Sequence, residues 1–220
     1  MQMSDAARTL DALEADYGAA LYRARWDEAS AAKVVPQLVA LLDSADQGIL
    51  LRTLAAVVTI GPLSHDAAPR ITRLLRSSPE RLVLRAAVHA LASASLRKPG
   101  HAVKPMIDAA DLPGLEKDAM FALIALGKAA QSAAPVFIRA FDNRSARIRR
   151  LALRGLHEIG STSALAEDVF RRASQDKSKA VREYAVKLLA RRGSANDWLQ
   201  LTGPALRRSE ERRLPRRPGK

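Results

Sequence analysis

Cysteine is absent from the 220 residues, which removes disulfides, thiolate metal sites and a cysteine nucleophile from consideration. Aromatic residues amount to only 4%, too few for a β-sandwich, which draws on aromatic and β-branched side chains. No apolar run approaches the roughly 18 residues that would argue for a membrane-crossing helix. The N-terminus, MQMSDAARTLDALEADYG, has an early acidic residue and no basic segment ahead of an apolar one, unlike a secretory signal. The expected compartment is therefore the cytoplasm. GxSxG, P-loop and GxGxxG motifs are all missing. The four histidines, His65, His89, His101 and His157, make no HxxxH or HExxH pair, so no metal and no cofactor is expected. Nothing nominates a nucleophile, and the expectation is that the chain is not an enzyme.

What the chain does have is a period. In Ile148–Gly160, IRRLALRGLHEIG, the apolar residues Ile148, Leu151, Ala152, Leu156 and Ile159 follow the spacing of one helical face, and a glycine closes the run. The pattern recurs at Val181–Gly193 and, on the other side, at Leu115–Gly127, with the same step in both directions. Extended through the chain, that step aligns Ile49, Leu82, Leu115, Ile148 and Val181. A second column is Thr53, Ala86, Ala119, Ala152 and Ala185, and the closing column is Gly61, Ala94, Gly127, Gly160 and Gly193. Small residues in the second column mark close helix approach. Each of these helices is preceded by another, with cores at 34–42, 67–75, 102–110, 133–141 and 164–173, and four of those carry Pro36, Pro69, Pro105 or Pro135. One such helix cannot bury its apolar face alone, but a stack can. The expected fold is all-α, a right-handed α-solenoid of about five helix pairs with a 33-residue period. Residues 1–29 are expected to form an N-terminal helical cap and 30–193 the repeat array. Residues 194–204 are expected to form a C-terminal cap built on Trp198, Leu199 and Leu201, and 205–220 a disordered basic tail.

Net charge is +13, and it is unevenly distributed. Residues 1–127 carry 14 basic and 14 acidic side chains, whereas 128–220 carry 22 and 9. Such asymmetry suits a polyanionic partner, and equally a solvated surface.

The units resemble HEAT repeats, in particular the short HEAT-like type of bacteria, most closely over Leu126–Gly160 and Gln175–Gly193. That family's pattern places an aspartate in the turn and an aliphatic–arginine pair at the start of the second helix. Asp176 with Val181–Arg182 matches it, and Asp142 with Ile148–Arg149 matches with one extra residue. Leu50, Val83 and Glu116 stand where the first three units would need the arginine. The resemblance implies that Asp142, Arg149, Asp176 and Arg182 form a structural ladder between neighbouring units, and that second helices line a concave surface. It implies no common activity.

Off the apolar face of the helix starting near Ile148 lie Arg147, Arg150, Arg154 and His157, at i, i+3, i+7 and i+10. A further repeat would set Lys187 beside Arg154, with Arg191 one turn on. These six are the candidate residues for binding nucleic-acid phosphates or an acidic partner; the function expected first is a non-enzymatic scaffold presenting a concave surface to a protein partner, with sequence-nonspecific nucleic-acid binding as the alternative. A third reading weighs HEAT-like alkylpurine DNA glycosylases, which resemble the chain in length and charge. The repeats contain no tryptophan, since Trp26 and Trp198 flank them. Asp118, the one aspartate well inside a second helix, has Gly114 rather than an aromatic one turn before it, so base stacking lacks its surfaces. Phycobilin lyases share the repeat type, but no chromophore signature carries lyase activity over.

Overall fold

Four of the helix starts are set by short polar side chains. Ser4, Asp27, Asp46 and Ser163 each accept a hydrogen bond from a backbone N–H in the first turn, at 3.2, 2.8, 2.9 and 3.2 Å respectively, satisfying donors the first turn leaves unpaired. The computed structural model describes residues 4–18, 20–23 and 25–192, with no strand among them. Helices α1 (Asp5–Tyr17) and α2 (Ala20–Arg23) form the N-terminal element. The N-terminal element breaks after Tyr17, where Gly18 takes φ 51°. Tyr17 and Trp26 then meet with ring centroids 5.3 Å apart, so Trp26 packs within the cap. Arg52 Nε donates to Glu14 at 2.9 Å and the Tyr22 hydroxyl donates to the same carboxylate, tying α1 to the first repeat.

Five helix pairs follow: α3 (Glu28–Leu41) with α4 (Gln47–Ile60), α5 (Ala68–Ser77) with α6 (Arg81–Ala94), α7 (Gly100–Ala110) with α8 (Glu116–Leu126), α9 (Ala134–Phe141) with α10 (Ala146–Glu158), and α11 (Ala164–Ala173) with α12 (Lys179–Arg192). They fall into two compact units, dividing between Ala133 and Ala134. In the first, α4, α6 and α8 pack side by side as one layer against α3, α5 and α7. In the second, α10 lies against α12 and α9 against α11. These stacked pairs are an α-solenoid, as the period requires.

Burial corrects the register of the second pair. Leu82 is 58% exposed, whereas Val83 and Ala87 are buried. The buried positions of α4 (Ile49, Thr53, Val57 and Ile60) recur as Val83, Ala87, Leu91 and Ala94, each one place later than the period requires. In the third pair they return to register as Leu115, Ala119, Leu123 and Leu126. A step forward followed by an equal step back leaves the mean period intact and hides the slip. Ser95, buried and with ordinary backbone angles, takes the closing place assigned to Ala94.

Gly61 and Gly127 close α4 and α8 with φ 67°, ψ −134° and φ 56°, ψ −136°, a region that a Cβ disfavours. Each opens a 3-10 segment, Gly61–Ala67 or Gly127–Ala133, leading through Pro69 or Pro135 into α5 or α9. Pro36 and Pro105 lie inside α3 and α7, so the recurring proline occupies two different settings. The stretches 47–77 and 116–141 are apolar enough on average (mean hydropathy 1.3 and 1.5) to cross a bilayer by length, yet half of each such window is buried inside the protein. Both are two helices joined at one of these glycines, and their apolar side chains pack on neighbouring helices. The expected C-terminal cap 194–204, the tail 205–220 and Gly193 lie outside the described residues.

Candidate functional site

Helices α10 and α12, with the turns that lead into them, carry both predicted residue sets. Leu151, Ala152, Leu153 and Leu156 are buried, which turns Arg147, Arg150 and Arg154 outward as an exposed row. On α12, Val181, Ala185 and Leu188 are buried and Lys187 and Arg191 are exposed. The Arg150 guanidinium lies over the Tyr184 ring, 5.1 Å from its centroid, worth about 0.5–1 kcal/mol at an exposed site. That contact holds the two helices' outer faces together and fixes one cation of the row. One turn beyond it, Arg154 and Lys187 stand on neighbouring helices. None of Arg147, Arg150, Arg154, Lys187 and Arg191 forms an ion pair with a described residue. His157 differs from them in being half-buried. Glu158 and Glu183 are exposed on the same helices, so the surface is cationic but interrupted.

The ladder residues are placed differently from the spacing argument. Arg149 is buried, and its Nε and Nη2 donate to Asp176 Oδ2 and Oδ1, both at 2.7 Å. Its Nη1 donates to the carbonyls of Asn143 and Arg144, both at 2.9 Å. The rung therefore joins Arg149 of one pair to the turn of the next pair. The hydrogen bond from Arg149 holds the Asp176 carboxyl below its usual range, against the opposing effect of burial. Asp142 takes no part in the Arg149 rung, although it links the same two pairs through Arg172. It is exposed and accepts from Arg172 at 3.0 Å, a pair worth little in water. Asn143, one full period before Asp176, is the structural equivalent. Asn143 Oδ1 accepts from Ser145 N at 2.9 Å, as Asp176 Oδ1 does from Ser178 N at 2.7 Å. Arg182 repeats half of the motif, donating to the Asp176 carbonyl at 2.6 Å.

Asp118, weighed as a catalytic carboxylate, lies in the first turn of α8 rather than deep in a helix. Arg85 Nε at 3.1 Å and His89 Nε2 at 3.3 Å engage its two oxygens, linking α6 to α8. This pairing was not apparent from the sequence, although Arg85 and Asp118 stand one full period apart. Among the described residues, no three His, Asp or Glu side chains come together as a metal site would require.

This geometry defines a class, the α-solenoids of stacked helix pairs. Solved structures agree on the fold. A designed armadillo repeat protein in complex with the peptide (KR)4 matches with TM-score 0.60 and 15% identity, covering 84% of this chain and 93% of that one. A computationally designed armadillo protein for modular peptide recognition matches with TM-score 0.56 and 18% identity, over 72% of this chain and 82% of that one. The complex of CpcE and CpcF of phycocyanin lyase from Nostoc sp. PCC7120 matches with TM-score 0.51 and 19% identity, over 72% of this chain and 99% of that one. No protein-family model matches the chain, and no curated protein matches it in sequence. The chain thus has an all-α helical-repeat fold, similar to that of armadillo-type repeat structures.

Proposed function

We propose that this protein is a non-enzymatic scaffold whose α10–α12 face binds an acidic segment of a protein partner. The observation that carries the reading is the exposed set Arg147, Arg150, Arg154, Lys187 and Arg191, on two adjacent helices, without ion-pair partners among the described residues. Cations fixed on a rigid layer meet carboxylates without ordering a loop, and so avoid part of the entropic cost of binding. A designed armadillo protein of similar fold is seen with the basic peptide (KR)4; the exposed row here is itself basic and suits a peptide of the opposite charge. Glu158 and Glu183 break the row, and Arg150 covers the Tyr184 ring. Both features favour a peptide with spaced carboxylates over nucleic acid, which would want a continuous cationic track and free stacking faces.

The test is a titration with labelled oligo-glutamate, duplex DNA and RNA at two salt concentrations. Oligo-glutamate should bind, and Arg150→Glu with Arg154→Glu should abolish its binding. Deletion of 205–220 should only weaken it. Retained binding in the double variant, with loss in the deletion, would move the site to the tail and overturn the proposal. Tight nucleic-acid binding with a steep salt slope would replace the partner class.

A further inference from the structure

Far along the sequence from the basic row, the first unit contains a cleft of about 470 Å³, within the range of roughly 300–1,000 Å³ typical of small-ligand sites. Its walls come from three segments: the 3-10 segment and start of α5, the end of α6, and the start of α7. Those segments bring together His65, Thr72, Ser95, Lys98 and His101. Lys98 and His101 are exposed and form no ion pair with a described residue. His65 Nε2 lies 3.2 Å from Asp66 Oδ1, and Asp66 is the one carboxylate in contact with these groups among the described residues. The Ser95 hydroxyl is buried with no hydrogen-bond partner, an omission that costs about 1–3 kcal/mol in a group of this kind. No side chain caps the first turn of α7, which begins at Gly100 beside His101. Its N-terminal end therefore presents uncompensated positive potential. Ala94 and Pro69 add apolar wall.

We infer that this cleft is a binding site for a phosphate monoester. An ammonium, two imidazoles and two hydroxyls belong to residues that line this one cleft, and α7 begins beside it. That arrangement suits three terminal oxygens on a tetrahedral centre better than the two coplanar oxygens of a carboxylate. The volume exceeds what inorganic phosphate fills, and the Ala94–Pro69 wall provides for an organic substituent. The site shares no residue with the α10–α12 row, so either assignment can fail without the other.

Phenyl phosphate is the probe, titrated into the full chain in about 150 mM salt, with the ring resonances of the four histidines followed by NMR and assigned by single His→Gln variants. Saturable shifts of His65 and His101, with His89 and His157 unmoved and a dissociation constant below about 1 mM, are the expected result. Lys98→Ala with His101→Ala should weaken binding by about tenfold or more while leaving the helical circular dichroism unchanged; His89→Ala should bind as the parent does. No saturable shift, parallel movement of all four histidines, or undiminished affinity in the double variant would overturn the inference. A second arm compares free O-phosphoserine with a phosphoserine peptide. Tighter binding of the peptide identifies a phosphorylated protein as the source, and equal binding identifies a free phosphate ester.

Discussion

Replacing Asp176 with asparagine tests the buried rung most directly, because the amide retains an oxygen for Ser178 N while removing the charge. The Arg149 and Asp176 side chains are only 6% and 8% exposed, so neither ion can fall back on water. Removing one partner of such a pair costs about 3–5 kcal/mol, since it strands a buried charge. Arg149 keeps its two carbonyl acceptors through Nη1, which places the expected loss near the lower end, about 3 kcal/mol. Against a typical domain stability of about 5–15 kcal/mol, that is enough to strip hydrogen-exchange protection from α12, whose turn Asp176 anchors. Native-state exchange of the Ala185 and Leu188 amides is the measurement, because repeat proteins open in parts rather than all at once. The rung also has a pH signature. The Asp176 carboxyl is lowered chiefly by the Arg149 hydrogen bond. Its contribution is therefore present above the unfolded carboxyl's value, near pH 4, and is lost as pH falls through the lower folded value. Parent and variant should converge in strong acid. A loss under about 1 kcal/mol at pH 7, or one unchanged in acid, would show that the rung does not hold the pairs together.

Gly155→Ala should destabilise the protein, although helix propensity alone predicts a gain of about 1 kcal/mol. A Cβ there would meet the Phe137 ring at 2.1 Å, and Phe137 is fully buried; a net loss of about 1–3 kcal/mol in urea unfolding is expected, and Phe137→Leu should relieve it. Ala152→Leu should cost a similar amount, about 1–3 kcal/mol, because Ala152 is wholly enclosed; a neutral result would mean that the close-approach column is misplaced. Glu14→Gln should loosen α1, measured as faster exchange of its amides at neutral pH. The Arg52 hydrogen bond lowers the Glu14 carboxyl, so the difference should vanish in acid.

The solenoid was legible because its columns of small and aliphatic residues repeat along the whole array. The slip in the second pair was not, for a local reason. Leu82-Val83-Leu84 and Ala86-Ala87 read equally well in either register, and only burial separates Leu82 from Val83. The ladder was half legible. Asp142 and Asn143 are adjacent and both can close a turn; the aspartate drew attention, while the asparagine makes the turn hydrogen bond. The basic row follows from helical spacing once the apolar face is known, yet the Arg150–Tyr184 contact depends on how two helices cross, which periodicity does not encode. The cleft at His65 and His101 was invisible for a stronger reason: its groups come from three segments, and no motif spans them.

The buried rung also gives the array a polarity. Between the last two described pairs, the arginine of one reaches forward to the acid of the next, as Arg149 does to Asp176. Arg182 stands at the forward position in the last described pair, half-buried, and the sequence position related to it as Asp176 is to Arg149 holds Ser209 rather than an acid. An arginine left without its rung can turn its long stem to keep the charge in water, whereas a short aspartate sealed in a turn has no such reach. Growth of the array by added pairs is therefore best tolerated at the arginine end, where each newcomer needs to bring only one turn carboxylate.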